Sequence, residues 1–252
     1  MDVREVLRSL RNGEIDIADA ERMLRMDHID SIEGDVLFDE SRQMRKNIPE
    51  VVYGASKTPE MIISILNKRE GSLTLVSKVD DEKYSIISRS VEGIRYDAGA
   101  KMIISGEMPE VRYGTIGIVT AGTSDIPIAE EARIMAESMG VGCITAYDIG
   151  VAGIHRILEP MKRLIEGDVS AIVAVAGMEG ALPTVISSLS PVPVIGVPTS
   201  TGYGIGGKGE AALLSILQSC SIGLTAVNID NGIGAGATAA LIARGRSEAK
   251  SE

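Results

Sequence analysis

From about Gly114 onward the chain repeats one pattern five times: a short β-branched apolar run, a glycine or polar turn, then a helical stretch of roughly ten to fifteen residues. The apolar runs are Thr115 to Thr120, Cys143 to Tyr147, Ala171 to Val175, Val194 to Val197 and Leu224 to Val227. The helical stretches are Ile128 to Ser138, Ala152 to Glu166, Ala181 to Ser187, Glu210 to Ser219 and Ala235 to Arg244. Runs without polar alternation bury both faces of a strand, and strands joined through helices lie parallel with right-handed crossovers. The pattern therefore predicts an α/β fold, a doubly wound parallel sheet in three αβα layers. Ligands of such sheets sit beyond the carboxyl ends of the strands, so function is sought in the loops that follow them.

The first third is charged and irregular by comparison, which places a domain boundary near Val111 to Gly114: 1–112 in front, 113–252 behind. Asp2 to Met26 reads as an amphipathic helix with Val6, Leu7, Leu10, Ile17, Ala20 and Leu24 as its broken apolar stripe. Residues 35–110 predict a small α/β unit, with strands at Glu50 to Tyr53, Leu73 to Val76 and Lys101 to Ile104 and a helix at Pro59 to Lys68. A net charge of -10 repels a polyanionic backbone, so nucleic acid is not expected as a partner. A small phosphorylated ligand is compatible with that charge, because local N–H groups and a few basic side chains hold phosphate against an adverse global field. No apolar run approaches the ~20 residues of a membrane-spanning helix. The two cysteines are too few for a disulfide framework, and the charged start MDVREVLRSLRNGEID lacks the apolar stretch of a signal peptide, so a cytoplasmic location is expected.

The loops carry the candidate chemistry. After the first run, Gly122-Thr123-Ser124-Asp125 has two readings: a capped helix start, or a helix amino end that offers N–H groups to an anion. The second loop holds His155, one of two histidines in the chain and close to the functional edge. The third sets Glu179 between glycines, a place suited to a general acid or base and also to an ordinary helix-start carboxylate. In the fourth, Thr199-Ser200-Thr201 leads into Gly202 to Lys208, which matches a P-loop until Gly209 stands where a magnesium-binding Ser or Thr belongs. That stretch reads instead as a mobile glycine-rich loop closing over a ligand. Before the fifth strand stands Cys220, and after it Asn228-Ile229-Asp230-Asn231-Gly232. Cys143, inside a strand, reads as structural. Cys220, at a helix end among small residues, is the candidate nucleophile, although a helix carboxyl end disfavours a thiolate and a cationic ring or Lys208 must compensate.

The series GTSDIP, YDIGVAGIHR, GMEGALP, VIGVPTSTGYGIGGKGEAALLSILQSC and VNIDNGIGAGA resembles the LarB family of nickel-pincer cofactor biosynthesis, a PurE-like domain behind an N-terminal extension, over residues 35–246. The resemblance implies carboxylation of the pyridinium ring of nicotinic acid adenine dinucleotide at carbon 5, with hydrolysis of the phosphoanhydride to release AMP. Carbon dioxide or bicarbonate is the implied co-substrate, and magnesium is expected at the anhydride. Cys220 matches the adduct-forming cysteine, Glu179 the acid or base, and Ser124 and Asp125 groups that handle carbon dioxide, ring carboxylate or metal. Arg45 and Lys46 are implied for the substrate's anionic groups. Gly122, Thr123, Thr199, Ser200, Thr201, Lys208, Asn228, Asp230, Asn231 and Gly232 complete the expected substrate-binding set, and PurE-like analogy implies a homo-oligomer, an octamer. The alternative is an aminoimidazole ribonucleotide carboxylase or mutase of the PurE type, which carries a histidine where this chain reads GMEGALP and lacks the N-terminal extension. A non-catalytic nucleotide-binding regulator is the third reading, disfavoured by the retention of both Cys220 and Glu179.

Overall fold

Strand side chains alternate between two packed faces in the two larger sheets of the molecule. The computed structural model describes residues 3–17, 20, 29–32, 36–39 and 48–249. After helix α1 (Val3–Arg11) and an antiparallel hairpin of β1 (Ile29–Ile32) and β2 (Val36–Asp39), the chain forms β3 (Glu50–Tyr53), α2 (Pro59–Lys68), β4 (Thr74–Ser77), α3 (Asp81–Ile87), β5 (Ile94–Asp97) and β6 (Met102–Ser105). These last four strands make a mixed sheet in the order β3-β4-β6-β5, with β3 parallel to β4 and the other pairings antiparallel. Successive side chains of a strand face opposite sides. Val76 and Ile103 accordingly pack with Ile62, Ile65, Leu66 and Ile87 of α2 and α3, while Leu75, Met102 and Ile104 enter the core of the following domain.

That domain contains β7 (Thr115–Thr120), α4 (Ile126–Ser138), β8 (Gly142–Ala146), α5 (His155–Glu166), β9 (Ile172–Ala176), α6 (Ala181–Leu189), β10 (Val194–Pro198), α7 (Glu210–Leu217), β11 (Leu224–Ala226) and α8 (Gly232–Ala249). All its pairings are parallel, in the order β11-β10-β9-β7-β8. This is the flavodoxin-like order, which reverses direction between β7 and β9 and so opens a crevice at their carboxyl ends. The α/β, doubly wound architecture and the smaller N-terminal α/β unit agree with the sequence reading. Val173, Val175, Ile195 and Val197 face α4 and α8, and Ile172, Ala174 and Val194 face α5 and α6. The N-terminal sheet, α4 with α8, the parallel sheet, and α5 with α6 are thus stacked in successive layers.

Three readings of local structure are corrected. The helix expected over Asp2 to Met26 ends at Arg11, where Gly13 takes φ +73 and residues 12–15 turn away; the apolar stripe did not register that glycine as a stop signal. Helix α3 and strand β5 were missing from the expected elements. The stretch Ala152 to Glu166 divides into a short 3-10 turn, Val151–Gly153, followed by α5.

Close approach of α4 and α8 depends on small residues. A Cβ built on Gly236 would stand 2.3 Å from the backbone oxygen of Ala132, which cannot yield as a flexible side chain does. Gly236→Ala is expected to lower stability by about 2 kcal/mol, because the overpacking cost of about 1–3 kcal/mol exceeds the ~1 kcal/mol that alanine adds to helix propensity. Urea unfolding checks this, and a neutral or stabilising result would mean that the helices separate freely.

The two domains are also joined by a buried ion pair. Lys78 Nζ, just after β4, lies 2.6 Å from Glu131 Oε1 on α4, and the Glu131 side chain is 2% exposed. Its Oε2 has no hydrogen-bond partner. Burial pushes the Glu131 carboxyl above its ordinary 4.5, opposed by the bond to Lys78, with the Asp230 carboxylate reinforcing the rise. A raised folded-state value means that the contribution to stability is complete below pH 4.5 and falls as pH rises through the folded value. Glu131→Gln is therefore expected to gain on the wild type as pH rises from 4.5, in paired urea melts up to pH 8. Parallel curves would show the pair to be electrostatically neutral.

Candidate active site

The carboxyl ends of β7, β8, β9 and β10 surround a cavity of about 410 Å³. Its wall comes from Ala121, Gly122, Ser124 and Asp125 after β7, Gly150 to Ala152 after β8, Ala176 to Leu182 (without Gly180) after β9, and Thr201 to Tyr203 after β10. The crevice at the switch point is thus the pocket that the strand-end argument anticipated.

Asp125 is the organising group. It is 4% exposed and its two oxygens are committed: Oδ1 accepts from Thr199 Oγ1 at 2.7 Å and Thr201 Oγ1 at 2.9 Å, and Oδ2 accepts from the Gly122 amide at 3.0 Å. Thr199 and Thr201 hydroxyls lie 2.5 Å apart. One carboxylate thereby ties the loop after β7 to the loop after β10. Asp125 starts α4 without a side-chain bond to the helix amides; its carboxylate reaches back across the short turn Thr123–Asp125 to the Gly122 amide, while Ser124 is exposed on the cavity wall.

The loop after β9 is shaped by backbone demands. Met178 takes φ 49 and Gly180 φ 63, which turns the chain sharply and leaves Glu179 exposed on the wall. Gly177 is required by contact: a Cβ there would meet the Thr201 carbonyl oxygen at 2.1 Å. On the opposite side, the turn after β8 is pinned to β7, since Asp148 N donates to Thr120 Oγ1 at 3.0 Å and Ile149 N to Thr120 O at 3.0 Å.

Several expected residues stand elsewhere. His155 begins α5 as an exposed residue outside the cavity wall, and the neighbouring Arg156 is engaged by Asp148. Lys208 is exposed in a short turn with φ 63, also off the wall; the left-handed backbone there excludes the helix start that a P-loop lysine occupies. Thr123 is exposed beside the wall. Asn228, Asp230, Asn231 and Gly232 form the entry to α8. Asp230 Oδ1 accepts from Ser200 N at 2.8 Å and Asn231 Oδ1 from Gly234 N at 2.8 Å, so these two brace the fourth loop and the helix. Gly232 is needed because a Cβ there would meet Ile128 O at 2.2 Å. Arg45 and Lys46 lie outside the described residues.

Cys220 follows α7 and precedes β11, at the amino end of the edge strand, and is exposed. It does not line the cavity of its own chain. Its neighbours are locked onto α6 by Thr184 Oγ1 donating to Ser219 Oγ at 3.0 Å and Ser221 Oγ to Ser187 Oγ at 2.9 Å. Cys143 is the opposite case: burial pushes its thiol up to about 12. At pH 8 about one part in 10⁴ is then thiolate, so native protein should react with Ellman's reagent at one thiol and denatured protein at two. Two reactive thiols in the native protein would contradict the burial of Cys143.

Among the described residues no cluster of three or more His, Cys, Asp or Glu side chains is arranged to hold a metal. Nor is any helix among them long and apolar enough to cross a membrane. The sequence reading missed the apolar wall formed by Val151, Met178, Leu182 and Tyr203. Thr199 and Thr201 are both expected at the ligand; Thr201 lines the cavity, and both hydroxyls also donate to Asp125, a link between a buried aspartate and threonines 74 and 76 residues away that leaves no local signature.

Residues 115–251 match the family model for AIR carboxylase, and residues 33–107 match that of the LarB/PurE-like N-terminal domain. An uncharacterized protein of Methanocaldococcus jannaschii is 46% identical over 252 residues, spanning 96% of this chain and 97% of that protein. The chain belongs to the LarB family. Within it, the AIR carboxylase domain is also similar to the N5-carboxyaminoimidazole ribonucleotide mutases of Pyrococcus horikoshii (36% identical, 46% of this chain, 64% of that protein) and Thermotoga maritima (33% identical, 50% and 73%). Those matches cover about half of this LarB-family chain. A carboxylase-type enzyme is the activity class that the family supports.

Proposed function

We propose that the chain carboxylates the pyridinium ring of nicotinic acid adenine dinucleotide at carbon 5 and releases AMP, the pyridinium-3,5-biscarboxylic acid mononucleotide synthase reaction. The observation that carries this reading is Glu179 on the cavity wall, a carboxylate on the third-strand loop where PurE-type enzymes present a histidine. An electron-poor pyridinium cannot attack carbon dioxide. Addition of a thiolate at carbon 4 forms a C–S bond and moves an electron pair to the ring nitrogen, which makes carbon 5 an enamine carbon nucleophile. Carbon 5 bonds to carbon dioxide, its proton passes to Glu179, and departure of the thiolate with its bonding pair restores the aromatic cation. Water cleaves the phosphoanhydride. The apolar wall of Ala121, Val151, Ala152 and Leu182 suits a flat heterocycle, and Ser124 suits its carboxylate.

The thiol in this scheme is that of Cys220. Because it is exposed and off its own cavity wall, the scheme requires a second copy of the chain to present it to the ring, consistent with a homo-oligomer. The test is incubation with nicotinic acid adenine dinucleotide and bicarbonate, with mass spectrometry for AMP and the doubly carboxylated mononucleotide. Aminoimidazole ribonucleotide is run in parallel: its turnover would favour the mutase-type reading that the similarity to the ribonucleotide mutases supports, and turnover of neither would favour a regulator.

A further inference from the structure

A second pocket, of about 250 Å³, lies at the seam between the two domains, away from the strand-end cavity. It is lined by Pro49, the linker residues Pro109 to Tyr113 (without Val111), Ser138 to Gly140 at the end of α4, and Arg244 of α8. Two arginines, Arg112 and Arg244, and one carboxylate residue, Glu110, therefore line one small pocket in a chain whose net charge is -10. The linker is clamped there: the amides of Arg112 and Tyr113 both donate to the Gly140 carbonyl, at 2.8 and 3.1 Å. Gly140, at φ +76, admits the Tyr113 ring, which a Cβ would approach to 3.3 Å.

Arg244 is held by stacking and not by an acid. Its guanidinium carbon lies 4.1 Å from the Tyr113 ring centre, an arrangement that fixes the plane and leaves the edge N–H groups available. No carboxylate among the described residues pairs with it. Arg112 has Glu110 at 4.0 Å, the limit of an ion pair, with both side chains largely exposed and so screened by solvent. A pre-oriented guanidinium with free donors beside a second, loosely held one matches the geometry with which proteins bind a tetrahedral oxyanion.

We propose that this pocket is an oxyanion site that takes inorganic phosphate or the phosphate of a small ester. A bound phosphate would bridge the linker, the end of α4 and α8, and so strengthen the docking of the N-terminal domain on the catalytic one. This assignment is independent of the substrate held at the strand-end cavity. The test is thermal unfolding of the full chain against inorganic phosphate, ribose 5-phosphate, and sodium chloride at matched ionic strength. A saturable rise in Tm with phosphate or the ester, absent with chloride, is expected for the wild type. It should be lost in Arg244→Ala and reduced in Arg112→Ala. Arg244→Lys, which keeps the charge and sacrifices the planar fork, should bind roughly tenfold more weakly, the loss of about one charge-assisted hydrogen bond. The ester arm distinguishes a free ion from a metabolite: a rise with either that vanishes in Arg244→Ala supports the site. Equal rises in wild type and Arg244→Ala, or a rise that chloride reproduces, would overturn it.

Discussion

Cys220→Ser is expected to lose carboxylation of nicotinic acid adenine dinucleotide by roughly three orders of magnitude or more, while unfolding at an unchanged temperature. The two halves of this expectation have separate causes. A serine hydroxyl is a far poorer nucleophile at neutral pH than a thiol with even a small thiolate fraction, and loss of a covalent nucleophile removes the intermediate on which every later step depends. Stability is spared because Cys220 is exposed, and exposed substitutions outside caps and networks stay within about 0.5 kcal/mol. The side chains that fix the local backbone are Ser219 and Ser221, through Thr184 and Ser187, and they remain in place. Full-speed turnover by the serine variant would remove the adduct mechanism, and a stable variant without activity would locate the defect in chemistry.

The catalytic architecture was legible because parallel strands announce themselves. Thr115–Thr120 and Val194–Pro198 are apolar on both faces, so neither register nor partner had to be known to place their carboxyl ends together. The N-terminal unit was less legible: Ile94–Asp97 mixes Arg95 and Asp97 into a short strand, and the polar start of Asp81–Ile87 resembles a loop. At the site, the residues that local pattern could find were those whose role is local, such as Glu179 between two glycines. Long-range roles were invisible. Thr201 reads as a loop hydroxyl until Asp125 is brought to it, and Lys78 reads as a solvated charge until Glu131 is buried beneath it. Cys220 shows the converse. Its place in the chain offers a candidate nucleophile, but the right-handed crossover of α7 carries it to the amino edge of the sheet, away from the cavity at the carboxyl edge.

Asp125→Asn should lower the same activity by about 10²-fold or more and also cost about 1–3 kcal/mol of stability, the expense of leaving buried polar groups unmatched. The carboxylate accepts three bonds, from two hydroxyls and one amide. An asparagine side chain of the same shape replaces one acceptor oxygen by a donor, which must then face either the Gly122 amide or the threonine pair. Facing Gly122, it sets N–H against N–H and frees the loop that carries Ser124. Facing the threonines, it forces them to accept and turns their hydroxyls toward the cavity. Either way the loops after β7 and β10 lose their common anchor, so kcat is expected to fall with a rise in KM, and Thr199→Val should reproduce the stability loss in part. The variant also tests how the thiol reaches the ring. If a second copy supplies it, Asp125→Asn and Cys220→Ser chains, each nearly inactive alone, should recover up to about a quarter of wild-type activity once unfolded and refolded together. That ceiling follows if chains pair at random around each site, because one in four sites then joins an intact cavity to an intact thiol. Recovery requires the cavity and the thiol of one site to come from different chains. Failure of the mixture, with both chains folded and co-assembled, would mean that each chain must use its own cysteine, and α7 with the segment to β11 would have to move to bring it there.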